Sequence, residues 1–348
     1  MNGLYQNILF LYKLFRCLGH QSILLTHEKP SRENADLLVE GGYEILTPEQ
    51  VVSMSVVFDV YIEIGMSTHV AFIHRMRAEG TRIVKLYLGN ALNIDTEMIV
   101  DNNHVYFPHH TYSELDEMWT SPHYAIHLDY LCGLYRVPVS SGKLAPYIWD
   151  SEFINERITW KRPQGGWETM NIVIAEPNIS YQKCALVPLL LANMFYLRET
   201  EWKGHIILMN SGRLSANVSL MAGLFSDLDI VRDRRVICKE REDILTLMKS
   251  NSSALFISHQ LNNEFNYMTL ELMWKGWPVL HTTNAWKSYG YFWEDTRVGE
   301  GVDLIKSVMK GHMGDEGRYA ADARLLAWSY SMYNPEVQQK WQDLLLRA

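Results

Sequence analysis

Ala254-Leu255-Phe256-Ile257 is a short apolar run that breaks at Ser258-His259-Gln260 into a polar loop, Ser258 to Asn266. The chain then resumes as a helical stretch, Tyr267 to Trp274, which Gly276 closes. The apolar run reads as a buried strand, and Trp277-Pro278-Val279-Leu280-His281 reads as the next one. Strand, loop, helix and strand in this order form one unit of a parallel α/β sheet. Such sheets bind ligands at the carboxyl ends of their strands, where backbone N–H groups and helix N-termini point outward. The polar residues of this stretch fall there.

The bulk numbers limit the function classes. A chain of 348 residues that is 47% hydrophobic can bury a sizeable core, and its length suits two domains better than one. A formal net charge of −8 leaves no excess of Lys and Arg to neutralise phosphates, which argues against nucleic acid as a partner. The four cysteines, Cys17, Cys132, Cys184 and Cys238, are scattered without ligand-like spacing. Free thiols, a cytoplasmic location and no metal site are therefore expected. Met1 to Thr26 is interrupted by Gln6, Lys13, Arg16 and His20, so neither a signal peptide nor a membrane span is expected there. Peripheral membrane contact stays open.

Along the chain, helix and strand signals alternate. Gln6 to Leu18 has helical spacing, with a loop from Met1 to Asn7 before it and Gly19 after it. Strands are expected at Ser22–Thr26, Val56–Ile62, Arg82–Tyr87 and Glu117–Thr120, with a capping box at Thr47-Pro48-Glu49-Gln50. The second half restarts the pattern with strands at Met170–Ile174, His205–Leu208 and Asp229–Val231. Helices are expected at Tyr181–Leu197, Val302–Lys310 and Arg318–Ser331, with a last one starting at Pro335. Lys161 to Gly166 is polar and rich in Pro and Gly, the best linker candidate. The expected organisation is a Rossmann-like domain over 1–160, a second over 167–330, and a C-terminal helix in 331–348 packing back on the first domain. Two such halves facing each other would enclose a cleft. The chain opens in a loop, so the first strand of a doubly wound half is missing or supplied by another segment.

Several motifs in matching order resemble the two-Rossmann-domain glycosyltransferases of the GT-B type, and more closely an uncharacterised bacterial family beside them. They are Asn2-Gly3-Leu4-Tyr5-Gln6-Asn7, Gly89-Asn90 with Glu97, Pro146 to Asp150, Glu176-Pro177-Asn178-Ile179, and Ser258-His259-Gln260 with Asn266-Tyr267, Glu271, Gly276 and Pro278 to His281. The resemblance implies an α/β fold of GT-B type and transfer of a hexosyl or pentosyl group from a nucleoside-diphosphate sugar to a glycan or lipid-linked acceptor. Retaining members carry two glutamates eight positions apart. Glu271 resembles the second, the ribose ligand, whereas Asn263 falls at the first, with Glu264 beside it.

Sugar transfer needs a pocket for base and ribose, positive charge or dipoles on the leaving diphosphate, and an acceptor hydroxyl near the anomeric carbon. Asn178, Lys183, Ser258, His259, Gln260, Asn266, Tyr267 and Glu271 are the donor-side candidates. Lys183 would neutralise the diphosphate, and the start of the helix after Asn266 would add its dipole. Without a metal, these groups carry the charge. Asp227-Leu228-Asp229 spells a metal-binding DxD by chance. Gly3, Gln6, Asn7, Gly89 and Asn90 are the acceptor-side candidates, and each doubles as a turn or capping residue. For the catalytic group His259, Glu264 and Glu97 lead, with Glu63, His109 and His110 as further bases. An oxidoreductase is disfavoured because no G-x-G-x-x-G follows a strand. The competing class is a catalytically weak or inactive nucleotide- or glycan-binding module.

Overall fold

A computed structural model of the chain describes residues 3–27, 38, 40–65, 67–100 and 114–346. It comprises two compact units, Met1–Asp150 with Ser329–Ala348, and Ser151–Trp328. Both are α/β with parallel sheets. Lys161 to Gly166 belongs to the second unit, where the Trp160 and Lys161 N–H groups donate to Lys275 O and Ser252 O. Among the described residues no helix is long and apolar enough to cross a membrane.

In the first unit β1 (Leu24–Leu25) and β2 (Ile45–Leu46) pair by themselves. The main sheet holds β3 (Val60–Ile64), β4 (Arg82–Tyr87), β5 (Glu117–Thr120) and β6 (Gly142–Leu144), in that spatial order. Residues 82–86 of β4 are all buried, the charged Arg82 and Lys85 being paired with Glu117 and Glu63. The capping box at Thr47 forms: its hydroxyl accepts the Gln50 N–H, and the Gln50 side chain accepts the Thr47 N–H.

The N-terminal helix runs Gly3–Cys17, so Gly3, Gln6 and Asn7 lie in helix and not in the expected loop. Packing explains the difference. Gln6 and Asn7 are buried, Asn7 Nδ2 donates to Ile148 O at 3.4 Å, and Leu4 fills the space over Gly65. Gly65 has φ +65°, and a Cβ there would lie 2.5 Å from Leu4 Cδ2, so only glycine admits this contact. Helix Pro335–Leu345, capped by Asn334, also belongs to this unit. Its Trp341 packs edge-on against Phe15 and Trp119. Arg82 Nη2 donates to the carbonyls of Leu344 and Leu345 at 2.9 and 2.8 Å, satisfying the end of that helix.

The second unit is one six-stranded sheet. Its strands are β7 (Ile172–Ile174), β8 (Ile206–Leu208), β9 (Val236–Cys238), β10 (Leu255–Ser258), β11 (Val279–His281) and β12 (Tyr291–Phe292). The spatial order is β12-β11-β10-β7-β8-β9, and every pair is parallel. The chain therefore winds outward from β7 in one direction, returns, and winds outward from β10 in the other. The switch point lies between β7 and β10, where open α/β sheets form their ligand crevice.

Two expectations for this unit are corrected. Asp229–Val231 is not a strand but part of a short helix, Asp229–Arg232. The Ile230 N–H donates to Asn193 Oδ1 at 3.0 Å and Asp229 pairs with Arg232 one turn on, so one long-range and one local polar bond fit the helix. The third strand falls later, at Val236–Cys238. The expected helices Val302–Lys310 and Arg318–Ser331 are one continuous helix, Val298–Trp328. Its buried side chains include Ile305, Met309, His312, Tyr319 and Ala323, and this packed face carries the helix through Gly311, Gly314 and Gly317.

Candidate functional site

Glu176 stands just past β7, and His259 just past β10, on the two sides of the switch point. The Glu176 carboxylate has no solvent exposure. One oxygen accepts the His259 N–H at 2.9 Å, and the other accepts the Gln260 side-chain amide. Burial pushes Glu176 up to about 8, opposed by the His259 N–H, the Lys183 charge and the Ser258 and Gln260 side chains. Lys183 is lowered by its own burial and partly restored by Glu176.

The loop after β10 is tied from several directions. Gln260 Oε1 accepts from Asn263 Nδ2 at 2.7 Å, and the Gln260 N–H donates to Thr282 Oγ1 at 3.1 Å. Thr269 Oγ1 donates to Ser258 Oγ at 3.0 Å. Asn266 caps helix Tyr267–Trp274 by accepting the Thr269 N–H. The Phe265 ring packs edge-on against Tyr267 and Trp286. The His259 imidazole puts Nε2 2.9 Å from Asp295 Oδ1, with the Trp293 ring tilted beside it. Burial lowers His259, opposed by the hydrogen bond and charge of Asp295.

Across the switch point, Asn178 takes φ +53° and bonds to backbone. Its Oδ1 accepts the Ala185 N–H at 2.8 Å and its Nδ2 donates to Glu176 O and Asn210 O. The Asn263 amide donates to Phe265 O as well as to Gln260, and Glu264 Oε2 accepts the Ala285 N–H at 3.1 Å. Glu271 is buried in its helix. The structure thus gathers Lys183, Ser258, His259 and Gln260 about one buried carboxylate, with Asn178 on the Glu176 carbonyl.

In the first unit, Gly89 (φ +114°) and Asn90 follow β4, and Asn90 Oδ1 accepts the Asn93 N–H at 3.2 Å. Gln6 and Asn7 lie on the N-terminal helix, and Glu97 is half-buried on helix Ala91–Val100. Glu63 is in an ion pair with Lys85. His109 and His110 lie outside the described residues. Sequence reasoning missed Asp295, and it quoted Glu176 within a motif without giving it a role. Glu176 carried a usable signal, a polar residue directly after an apolar strand run, which is the rule that drew attention to Ser258. Asp295 carried none.

Comparison with known proteins places this α/β fold further. A family profile described as a protein of unknown function (DUF2827) matches residues 1–345. The chain belongs to this family. A search of curated proteins gives no match. Among solved structures the chain is similar to a glycosyltransferase from Rickettsia africae ESF-5, at TM-score 0.63 and 12% identity, covering 99% of this chain and 94% of that one. It is similar also to Anabaena Alr3699/HepE in complex with UDP-glucose, at TM-score 0.62 and 12% identity, covering 96% and 95%. The N-terminal domain of Candida albicans trehalose-6-phosphate phosphatase is another structural neighbour, at TM-score 0.64 and 10% identity, covering 99% and 92%. The DUF2827 chain has the GT-B glycosyltransferase fold.

Proposed function

We propose that this protein is a glycosyltransferase that moves a sugar from a nucleoside-diphosphate sugar to a glycan or lipid-linked acceptor. The observation that carries the reading is the buried polar nest at the switch point, where Glu176 grips Ser258-His259-Gln260 and Lys183 stands beside it. Lys183 and the start of helix Tyr267–Trp274 meet the diphosphate, so the charge of the leaving group is balanced without an essential metal. Glu271 takes the ribose hydroxyls. Gly89 and Asn90, at the carboxyl end of β4, offer acceptor contacts. The Anabaena neighbour was crystallised with UDP-glucose, a ligand of the class assigned here. Scattered cysteines suit a cytoplasmic setting.

A thermal-shift screen against UDP, GDP, dTDP, CDP, ADP and NAD, with and without magnesium, tests this reading. A ligand at a hundredfold excess over its Kd adds about 2.7 kcal/mol to stability. Stabilisation by one nucleoside diphosphate without magnesium is expected; stabilisation by NAD alone, or by none, contradicts it. One observation favours a second reading, a catalytically weak or inactive binding module. Asn263 replaces a carboxylate and is bound into the loop, and Glu264 is engaged by the Ala285 N–H. Binding of a nucleotide sugar with neither transfer nor hydrolysis selects that reading.

A further inference from the structure

His259 is 4% exposed, yet only one of its ring nitrogens is engaged. Nε2 faces Asp295 Oδ1 at 2.9 Å, and among the described residues Nδ1 has no hydrogen-bond partner. A carboxylate can only accept, so the ring proton sits on Nε2 and Nδ1 presents a lone pair. A second polar atom without a partner lies just past the adjacent strand. Thr283, which follows β11, is 1% exposed, and among the described residues its buried Oγ1 has no hydrogen-bond partner. β10 and β11 are neighbours, with Ser258 opposite His281, and Gln260 N–H to Thr282 Oγ1 ties their loops together. Buried polar atoms are almost always satisfied, so Thr283 Oγ1 calls for a ligand near these strand ends, and His259 Nδ1 is the open polar atom on the neighbouring one.

The chemistry of that ligand follows from the lone pair. A phosphate oxygen is itself an acceptor and gains nothing from a neutral Nδ1, whereas a hydroxyl donates to it. The Asp295 carboxylate at Nε2 also disfavours an anion at the ring. Burial lowers His259, which keeps the ring neutral.

We propose that Asp295 is a positioning residue that fixes the His259 ring so that Nδ1 accepts a hydrogen bond from a hydroxyl of the donor's sugar. The inference rests on the donor-site reading above and adds to it what distinguishes a nucleotide sugar from the bare nucleotide. The loop that presents Asp295 is built for the purpose of holding it. Trp293 Nε1 donates to Asp295 O at 2.9 Å, and Asp295 takes φ +29°, in the left-handed region. Its side chain is otherwise 52% exposed, so its replacement does not empty a core position.

The test uses the full chain and two variants. Asp295→Gly removes the carboxylate and suits the positive φ; Asp295→Asn retains an acceptor oxygen. Affinities are measured by calorimetry for UDP with UDP-glucose, GDP with GDP-mannose, dTDP with dTDP-glucose and ADP with ADP-glucose. Nitrogen NMR of labelled histidine reads the His259 tautomer. The expected result is an Nε2–H tautomer in the parent, and in Asp295→Gly about a fivefold loss of affinity for the conjugate with unchanged affinity for its nucleotide. Asp295→Asn recovers most of that loss. An Nδ1–H tautomer, an equal loss for nucleotide and conjugate, or no loss for either overturns the inference while leaving the donor site standing. If no nucleotide and no conjugate binds the parent, the donor-site reading falls and this inference falls with it.

Discussion

Each unit buries a carboxylate near the carboxyl end of its sheet, and the two are held in different ways. Glu63, on β3, sits directly opposite Lys85 on β4 and is in an ion pair with it, while Thr68 N–H donates to the other oxygen at 2.9 Å. Among the described residues Glu176 has no such cation in contact; it accepts a backbone N–H and an amide, with Lys183 acting through its charge. An adjacent cation satisfies a buried carboxylate within the fold. A carboxylate held by neutral donors is poised between its two protonation states, and it fixes a loop. The first arrangement stabilises a sheet, and the second keeps a site in shape.

The largest effect that could break this contrast belongs to the first unit. Lys85→Met leaves Glu63 buried without its cation and should cost about 3–5 kcal/mol in denaturant unfolding. A loss well under 1 kcal/mol would place Glu63 in the same class as Glu176.

Next comes the pH dependence of Glu176. Its folded value, about 8, lies above the ordinary carboxylate value, so the folded state binds the extra proton. The resulting stabilisation is complete below the ordinary carboxylate range and is lost as pH rises towards 8, a change of a few kcal/mol. Glu176→Gln should flatten that slope in urea midpoints measured from pH 5 to 9. Buried histidines act in the opposite direction. His123 in the first unit and His281 in the second are both pushed down to about 4 by burial, so stability also falls as pH drops from 6.5 towards 4.

Arg82→Ala sharpens the structural side of the comparison. It removes two donors from the end of helix Pro335–Leu345 and a partner from Glu117, which keeps Lys143 and Trp119 Nε1. A cost of about 2 kcal/mol is expected, with faster amide exchange confined to that helix. The smallest effect is Thr47→Ala, which opens the capping box at a cost of about 1 kcal/mol in thermal unfolding.

Much of the fold was legible because runs rich in apolar and β-branched residues between turn residues mark its elements. Arg82–Tyr87, Glu117–Thr120 and helix Tyr267–Trp274 were read with the bounds they have. Short apolar runs carry no such guarantee. Asp229–Val231 and Val236–Cys238 are both compatible with a strand, and the bond from distant Asn193 goes with the Asp229–Arg232 pair in making the first a helix. The two-residue strand Tyr291–Phe292 is defined by its pairing with β11 and not by its composition. The site was legible on one side only. Ser258-His259-Gln260 stood out as a polar break after a strand, but the groups that fix it, Glu176 and Asp295, reach it from distant parts of the chain. Periodicity is a local property, and these contacts are not.

Hydrogen exchange of the full chain with and without a panel of nucleotide sugars tests the central claim most directly. The account predicts that one nucleotide sugar slows exchange at 176–184 and 258–266, around Glu176, while amides around the Glu63–Lys85 pair are unchanged. Protection that appears first around Glu63, or protection in neither region with any member of the panel, would contradict it.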